Sequence, residues 1–495
     1  MKILLICLLF APIVYLAIKH KRWYLYLAVA FIGILPEQFS FSIHDDLPLI
    51  SVTRLLIVLL GIFWAMERIK TKNFSVSKAL LIFGGVNVIV SLINLRYGFG
   101  EINRIFLYIF ERIFLVILLK DLIHTKEEFH RCVDFMIMGC CALAVIGIVQ
   151  TLFSYDISSV LHLQKTATSI KLSTRMGMIR AFGTFNAISY GCYCAFMVLP
   201  IYFRLEQTGK LRYSLAFALN FMALICTFTR SAWLCIAAVF GLLILLRYKV
   251  FFKKILPAVA FSLALCCLMC LAQPKFFGGL AETGKSAANT LLSALPDSFF
   301  PTETPKETQG DTPTDETTVT EETEPTEPTE KDPPKFDISE DFGANVNPTA
   351  SRMMQWTAVQ DLANQGQILF GHGYNALLRG KIRFYFKNWG SKWVTTTFLD
   401  VGLVALIMEG GIVGAISYLA LLGYMVLCSL KKWNRSGELD FYKLTVFMVP
   451  LYLLLNFLAA FLFYPAVWLY IAAFFAYQKL NGDEQEFTLP KKLKA

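Results

Sequence analysis

About a dozen apolar runs, each near the length needed to cross a bilayer, limit this chain more than any motif in it. They fall at residues 3–18, 23–38, 50–66, 77–95, 103–120, 132–153, 184–203, 214–228, 232–247, 255–272, 411–430, 444–460 and 463–477. A hydrocarbon core of about 30 Å takes roughly 20 helical residues. The pattern therefore predicts an all-α integral membrane protein of about 12–13 transmembrane helices. A composition that is 56% hydrophobic, with a mean hydropathy of +0.55, agrees. No small-residue cleavage site follows the first run before Lys19-His20-Lys21-Arg22, so it reads as an anchor rather than a secretory signal.

One hydrophilic stretch, residues 273–394, interrupts the series. The expected organisation is an N-terminal bundle of about ten spans over 1–272. A loop region over 273–410, C-terminal helices over 411–480 and a basic tail over 481–495 follow. Sidedness comes from basic clusters at every second loop: Lys19, Lys21 and Arg22; Arg68, Lys70 and Lys72; Lys126 and Arg131; Arg204, Lys210 and Arg212; Arg247, Lys249, Lys253 and Lys254; Lys431, Lys432 and Arg435. By the positive-inside rule these loops are cytoplasmic, which puts the long loop before the last spans on the extracytoplasmic side.

Within that loop, residues 301–335 are rich in Thr, Glu and Pro and nearly free of apolar side chains, the composition of a disordered spacer. Residues 302–332 carry 11 carboxylates against 2 lysines, a net of −9, which leaves +19 on the rest of the chain. That excess belongs to loops facing anionic lipid and does not indicate nucleic acid. Nearly all of the 12 cysteines lie in or beside apolar runs and none lies in 273–394, so no disulfide-stapled outer domain is expected. Cys267 and Cys270 have metal-ligand spacing but no second pair or nearby His, and read as packing thiols. No metal or cofactor site is expected.

The polar residues that stand out share the outer side. Residues 214–246 form an apolar run of 33, about 50 Å as one helix and too long for a single crossing. With basic clusters at both ends, it must be a hairpin whose tip is Thr227-Phe-Thr-Arg-Ser231, putting Arg230 at the outer interface. Arg175 and Arg180, with Lys171, make the loop 154–183 basic against the usual bias. An arginine fork suits a diphosphate, although each arginine alone is equally consistent with anchoring at the interface. Arg352 begins Ser-Arg-Met-Met-Gln-Trp, whose spacing predicts a helix lined by Met353, Trp356, Thr357 and Leu362 and broken at Gly371-His372-Gly373. Asp400 lies in an apolar segment where a carboxylate is costly, by itself explained as well by an ion pair, for instance with Arg383. On a continuous helix Glu409 would point about 180° away from it, which argues against an acid/base pair. His44, His162 and His372 are outer histidines that read first as surface residues.

Four segments, in order, carry a resemblance: Arg-Ala-Phe-Gly-Thr-Phe-Asn (180–186), Phe-Thr-Arg-Ser-Ala-Trp (228–233), Ser-Arg-Met-Met-Gln-Trp (351–356) followed by Leu-Phe-Gly-His-Gly-Tyr-Asn (369–375), and Met-Glu-Gly-Gly-Ile-Val-Gly (408–414). Their order and placement resemble the O-antigen ligase and O-antigen polymerase superfamily. The resemblance implies glycosyl transfer at the outer face of a bacterial cytoplasmic membrane, from an undecaprenyl-diphosphate-linked glycan donor to a glycan, lipid or protein acceptor. It implies neither metal nor other cofactor. By position, Arg180 and Arg230 match arginines thought to grip the diphosphate, with Arg175 and Arg352 in support. Asp400 stands where ligases carry a histidine, so a polymerase is favoured over a ligase. A flippase of lipid-linked glycans would show related halves and broken helices meeting at the midplane, and no such internal symmetry is present.

Overall fold

The computed structural model describes residues 14–35, 40–41, 50–71, 75–97, 100–155, 174–175, 177–185, 187–292, 355–373, 382–386, 392–396, 399, 401–433, 439–458, 464–483 and 486–488. Its helices follow the apolar runs. They are α1 (Lys21–Ile32), α2 (Val52–Thr71), α3 (Lys78–Asn94), α4 (Gly100–Phe106), α5 (Leu115–Leu122), α6 (Lys126–Leu152), α7 (Ala187–Thr208) and α8 (Leu211–Cys226). After these come α9 (Arg230–Ala272), α10 (Pro274–Leu292), α11 (Thr357–Asn364), α12 (Gly402–Lys431), α13 (Phe441–Leu458) and α14 (Pro465–Leu480). A π-helical stretch, Leu107–Phe114, joins α4 to α5.

Among the described residues, five helical segments are long and apolar enough to cross a membrane, and Leu211–Cys226, Arg230–Leu246 and Phe441–Phe457 are shorter apolar helices. Ile82, Leu245, Leu256, Leu263 and Leu271 are exposed, an outward apolar surface that only lipid would cover. The fold is that of an all-α integral membrane protein, as the sequence predicted. At its centre stands α7, apolar around its whole circumference and buried along nearly all of its length.

Helix α9 shows why the run after the hairpin tip splits into two spans. Forty-three residues of straight helix would reach about 65 Å. Yet Phe228, just before α9, and Phe276, just after it, have ring centroids 5.6 Å apart. The helix therefore doubles back, and Phe240 meeting Phe251 at 5.5 Å places the reversal between those two residues. This agrees with the separate runs 232–247 and 255–272.

Ion pairs gather the basic clusters at one end of the bundle. Asp134 at the start of α6 accepts from Arg204 of α7 at 2.7 Å, from Arg212 at 3.3 Å and from the Tyr213 hydroxyl at 2.7 Å. Arg22 pairs with Glu128, and Arg68 and Lys479 meet Asp121. Lys432 reaches Asp483 at 2.7 Å.

Short strand pairs accompany the helices. The basic-aromatic stretch at 379–387 contributes a strand to one of four small antiparallel pairs: β1 (Ser40–Phe41) with β2 (Ile50–Ser51), β3 (Ser75–Ser77) with β8 (Glu486–Thr488), β4 (Thr174–Arg175) with β5 (Met178–Ile179), and β6 (Ile382–Phe386) with β7 (Lys392–Thr396). Alternating aromatic and long side chains suit a pleated ladder, which explains β6. Helix α12 begins at Gly402 and carries Glu409, while Asp400, the other carboxylate of the expected opposed pair, lies outside the described residues.

Candidate functional site: an arginine-bearing hairpin tip and a backbone joint

The hairpin predicted for residues 214–246 is present. Helix α8 ends at Cys226, residues 227–229 turn, and α9 starts at Arg230. The turn is tight enough to hold Phe228 at a φ of 50°, a left-handed conformation that costs a non-glycine residue about 1–2 kcal/mol. Arg180 braces this turn. Its Nε donates to the Thr227 carbonyl at 2.7 Å, and its Nη2 donates to the Thr229 hydroxyl at 3.0 Å. The Ala181 amide bonds the Cys226 carbonyl at 2.9 Å. Two arginines far apart in sequence thus meet at one tip, Arg180 bonded to the residues immediately before Arg230.

The segment carrying Arg180 is itself held by a residue that sequence reasoning passed over. Gln150, fully buried near the end of α6, accepts from the amides of Phe182 at 3.2 Å and Gly183 at 2.9 Å, and donates to the Gly183 carbonyl at 3.1 Å. Its amide side chain serves as a strand edge for a loop that has none. The available signal was a lone polar residue in an apolar run. Replacing Gln150 by Leu removes three buried hydrogen bonds and is expected to destabilise the protein by about 2–4 kcal/mol. Thermal unfolding of the detergent-purified variant checks this, and a melting temperature equal to wild type would count against the bracing role.

Helix α10 closes the other side of the tip. Phe276 packs on Phe228, and the Arg230 guanidinium donates through Nη1 to the Ser286 hydroxyl. A methyl group built on Gly279 would lie 3.1 Å from the Met178 Cε and 3.2 Å from the Phe228 ring, so α10 also touches the β4–β5 hairpin that leads to Arg180.

A second construction joins two of the remaining motifs. Helix α12 breaks at Gly411, whose φ of 64° and ψ of −173° are non-helical. Residues 368–373 fill the break. The amides of His372 and Gly373 bond the carbonyls of Met408 and Glu409 at 2.8 and 3.1 Å, and those of Ile412 and Val413 bond the carbonyls of Ile368 and Leu369 at 2.9 and 3.1 Å. The groups orphaned by the broken helix are thus satisfied by a neighbouring strand of loop. The approach demands glycine on both sides. A Cβ on Gly411 would lie 2.2 Å from the Leu369 carbonyl oxygen, and one on Gly371 would lie 2.7 Å from the Gly411 nitrogen. Asn94 of α3 donates to the Phe370 carbonyl at 2.7 Å, tying the joint to the bundle.

Ahead of the break, α11 packs on the first turns of α12. Ala358, Leu362, Leu399, Val401, Val404, Ala405 and Met408 form one buried cluster, and Gln355 accepts from the Val401 amide at 3.1 Å. Leu362 and Trp356 fall on or beside the buried face as expected, with Ala358 contributing where Thr357 was expected to. Asp400, Arg352, Met353, His44 and His162 lie outside the described residues, and of Arg383, in β6, the backbone alone is described. Of Arg175, the backbone is described, in β4, but not the side chain. His372 is buried, its ring centroid 6.3 Å from that of Tyr97, which removes it from the surface histidines. A buried cation also went unpredicted. Arg112, in the π-helical stretch, is 8% exposed and lies 4.0 Å from the Tyr108 ring centroid. Cation–π contact with a desolvated ring offsets part of the cost of such a charge.

The fold and site define a multi-pass membrane protein whose arginines meet at a hairpin tip, at the end of the bundle away from the clustered lysines. Residues 215–419 match the model of the O-antigen ligase family, which supports the resemblance to the O-antigen ligase/polymerase superfamily. The match runs from α8 through the tip and α10 to the joint in α12, and ends before α13. No curated protein and no solved structure matches the chain.

Proposed function

We propose that this protein is an inverting glycosyltransferase that polymerises undecaprenyl-diphosphate-linked oligosaccharide units at the outer face of the cytoplasmic membrane. The observation that carries the reading is the meeting of Arg180 with the turn that presents Arg230, inside or beside the segment that matches the family. The two guanidiniums hold the diphosphate and stabilise the charge it gains as it leaves. Arg175 and Arg352 support the same cavity. The acceptor hydroxyl oxygen bonds to the anomeric carbon as the bond from that carbon to the phosphate oxygen breaks. The electron pair departs with undecaprenyl diphosphate, and the hydroxyl proton passes to Asp400. A single displacement inverts the anomeric centre. Metal ions and nucleotide sugars have no place in this scheme. The basic end of the bundle faces the cytoplasm, and the tip and joint face out.

The description of the matching family favours a second reading, en bloc transfer of a finished glycan to a lipid, wall or protein acceptor. Cells lacking the protein, or carrying Asp400→Asn at matched expression, separate the two. A polymerase defect accumulates single lipid-linked repeats, and a ligase defect accumulates long lipid-linked chains. Intermediates held on the cytoplasmic side would overturn both in favour of a flippase.

A further inference from the structure

The donor-site reading above uses residues before and at the hairpin tip. Helix α10 opens the region 273–410 that follows the N-terminal bundle, and it docks on that tip along one stripe. Phe276, Gly279, Thr283 and Ala287 are buried, Gly278, Leu280 and Ser286 are half-buried, and Phe277, Ala281, Glu282, Gly284 and Lys285 are exposed. The stripe repeats every three to four residues, as one face of a helix must. Its contacts are specific: Phe276 and Gly279 meet Phe228, Gly279 meets Met178, and Ser286 accepts from Arg230.

The first turn of α10 places a cation against the other arm of the site. The Lys275 Nζ lies 3.7 Å from where a Cβ on Gly177 would stand, over the turn of the β4–β5 hairpin that leads into Arg180. Among the described residues no carboxylate pairs with Lys275. Farther along α10, Glu282 and Lys285 are both exposed and offset each other in charge. The helix thus brings an ammonium to the Arg180 side of the tip and a hydroxyl to the Arg230 side.

We propose that α10 is a wall of the donor site, in which Lys275 supplies a further cation for the diphosphate and Ser286 acts as a positioning residue for the Arg230 guanidinium. The inference rests on the donor-site reading. An ammonium at the interface attracts phosphate as a point charge, complementing the directional arginine forks. A hydroxyl that holds one guanidinium nitrogen leaves the remaining donors with a fixed direction.

The test uses the full chain in nanodiscs of phosphatidylcholine, titrated with farnesyl diphosphate. Lys275→Gln is expected to weaken binding about 5-fold or more, with an effect that shrinks at high salt. Ser286→Ala is expected to weaken it about 3- to 10-fold without lowering the melting temperature, and Ser286→Thr to restore it. Lys254→Gln, at the opposite end of the bundle, is the control and should bind as wild type. If Arg180→Ala loses binding while Lys275→Gln and Ser286→Ala keep it, α10 is not part of the site and the arginine reading stands alone. If Arg180→Ala also binds as wild type, the donor-site reading falls and this inference falls with it.

Discussion

Gly411→Ala is expected to prevent assembly of a stable protein. The added methyl would sit 2.2 Å from one carbonyl oxygen and 2.3 Å from its carbon, at a φ of 64° that already disfavours any side chain. The left-handed conformation costs about 1–2 kcal/mol. The clash is with backbone, which cannot rotate away as a side chain can, so relief requires breaking hydrogen bonds of the joint, each worth about 1 kcal/mol net and more when buried groups are left unpaired. A total loss of roughly 4 kcal/mol or more follows, a large share of the stability of an ordinary domain. Gly371→Ala, with φ at 74° and contacts at 2.7 Å, should behave similarly. Gly423 lies on the same helix with nothing within 4 Å of an added Cβ, so Gly423→Ala should be neutral or stabilising by about 0.5–1 kcal/mol. Yield and thermal unfolding of the detergent-purified variants decide it. Equal stability of Gly411→Ala and Gly423→Ala would show that the joint is not as tight as described.

Arg180→Ala and Arg230→Ala should each abolish most polymer formation while leaving the protein in the membrane. Removing one donor that stabilises charge in a transition state lowers rates about 10²- to 10³-fold. Arg180 has a second duty, since its bonds to Thr227 and Thr229 brace the tip. Arg180→Lys separates the two. It keeps the charge but not the fork, so a shortfall close to that of alanine points to geometry, and near-complete recovery points to charge alone. In the proposed reaction both arginines serve the same leaving group, so the double variant should lose little beyond the worse single one. Glycan length profiles at matched expression provide the measurement, and long chains in either alanine variant would remove that residue from the site.

The elements legible in sequence were those written as conflicts with the bilayer. The apolar run 214–246 was too long to cross once and had basic clusters at both ends, so its hairpin and tip could be placed within a residue or two. Arg180 stood out by opposing the positive-inside bias, but that it touches the tip was not readable, because the contacts join residues 47 and 49 apart through a carbonyl and a hydroxyl common everywhere in the chain. The joint at Gly411 was less legible still. Two glycine-bearing motifs were visible, and nothing in either names the other as its partner. Gln150 and the π-helical Arg112 were visible only as polar residues in apolar runs. The β6–β7 pair was obscured by long basic side chains that belong as readily to a helix or a coil.

The two ends of the bundle are fastened by different chemistry. At the lysine end the ties are ionic. Burial alone would raise the Asp483 carboxyl, but hydrogen bonds from Lys432 and Tyr442 outweigh it and hold the group below the usual carboxylate range. That tie is intact above the ordinary carboxylate pKa and is released as pH falls through the lowered one, and salt weakens it at any pH. The bonds of the joint at Gly411 run from amides to carbonyls, groups that neither titrate nor carry a net charge to screen. The backbone bonds that hold the loop to the membrane helix are therefore of a kind that ionic strength and acidity act on least, whereas the ties at the lysine end answer to both.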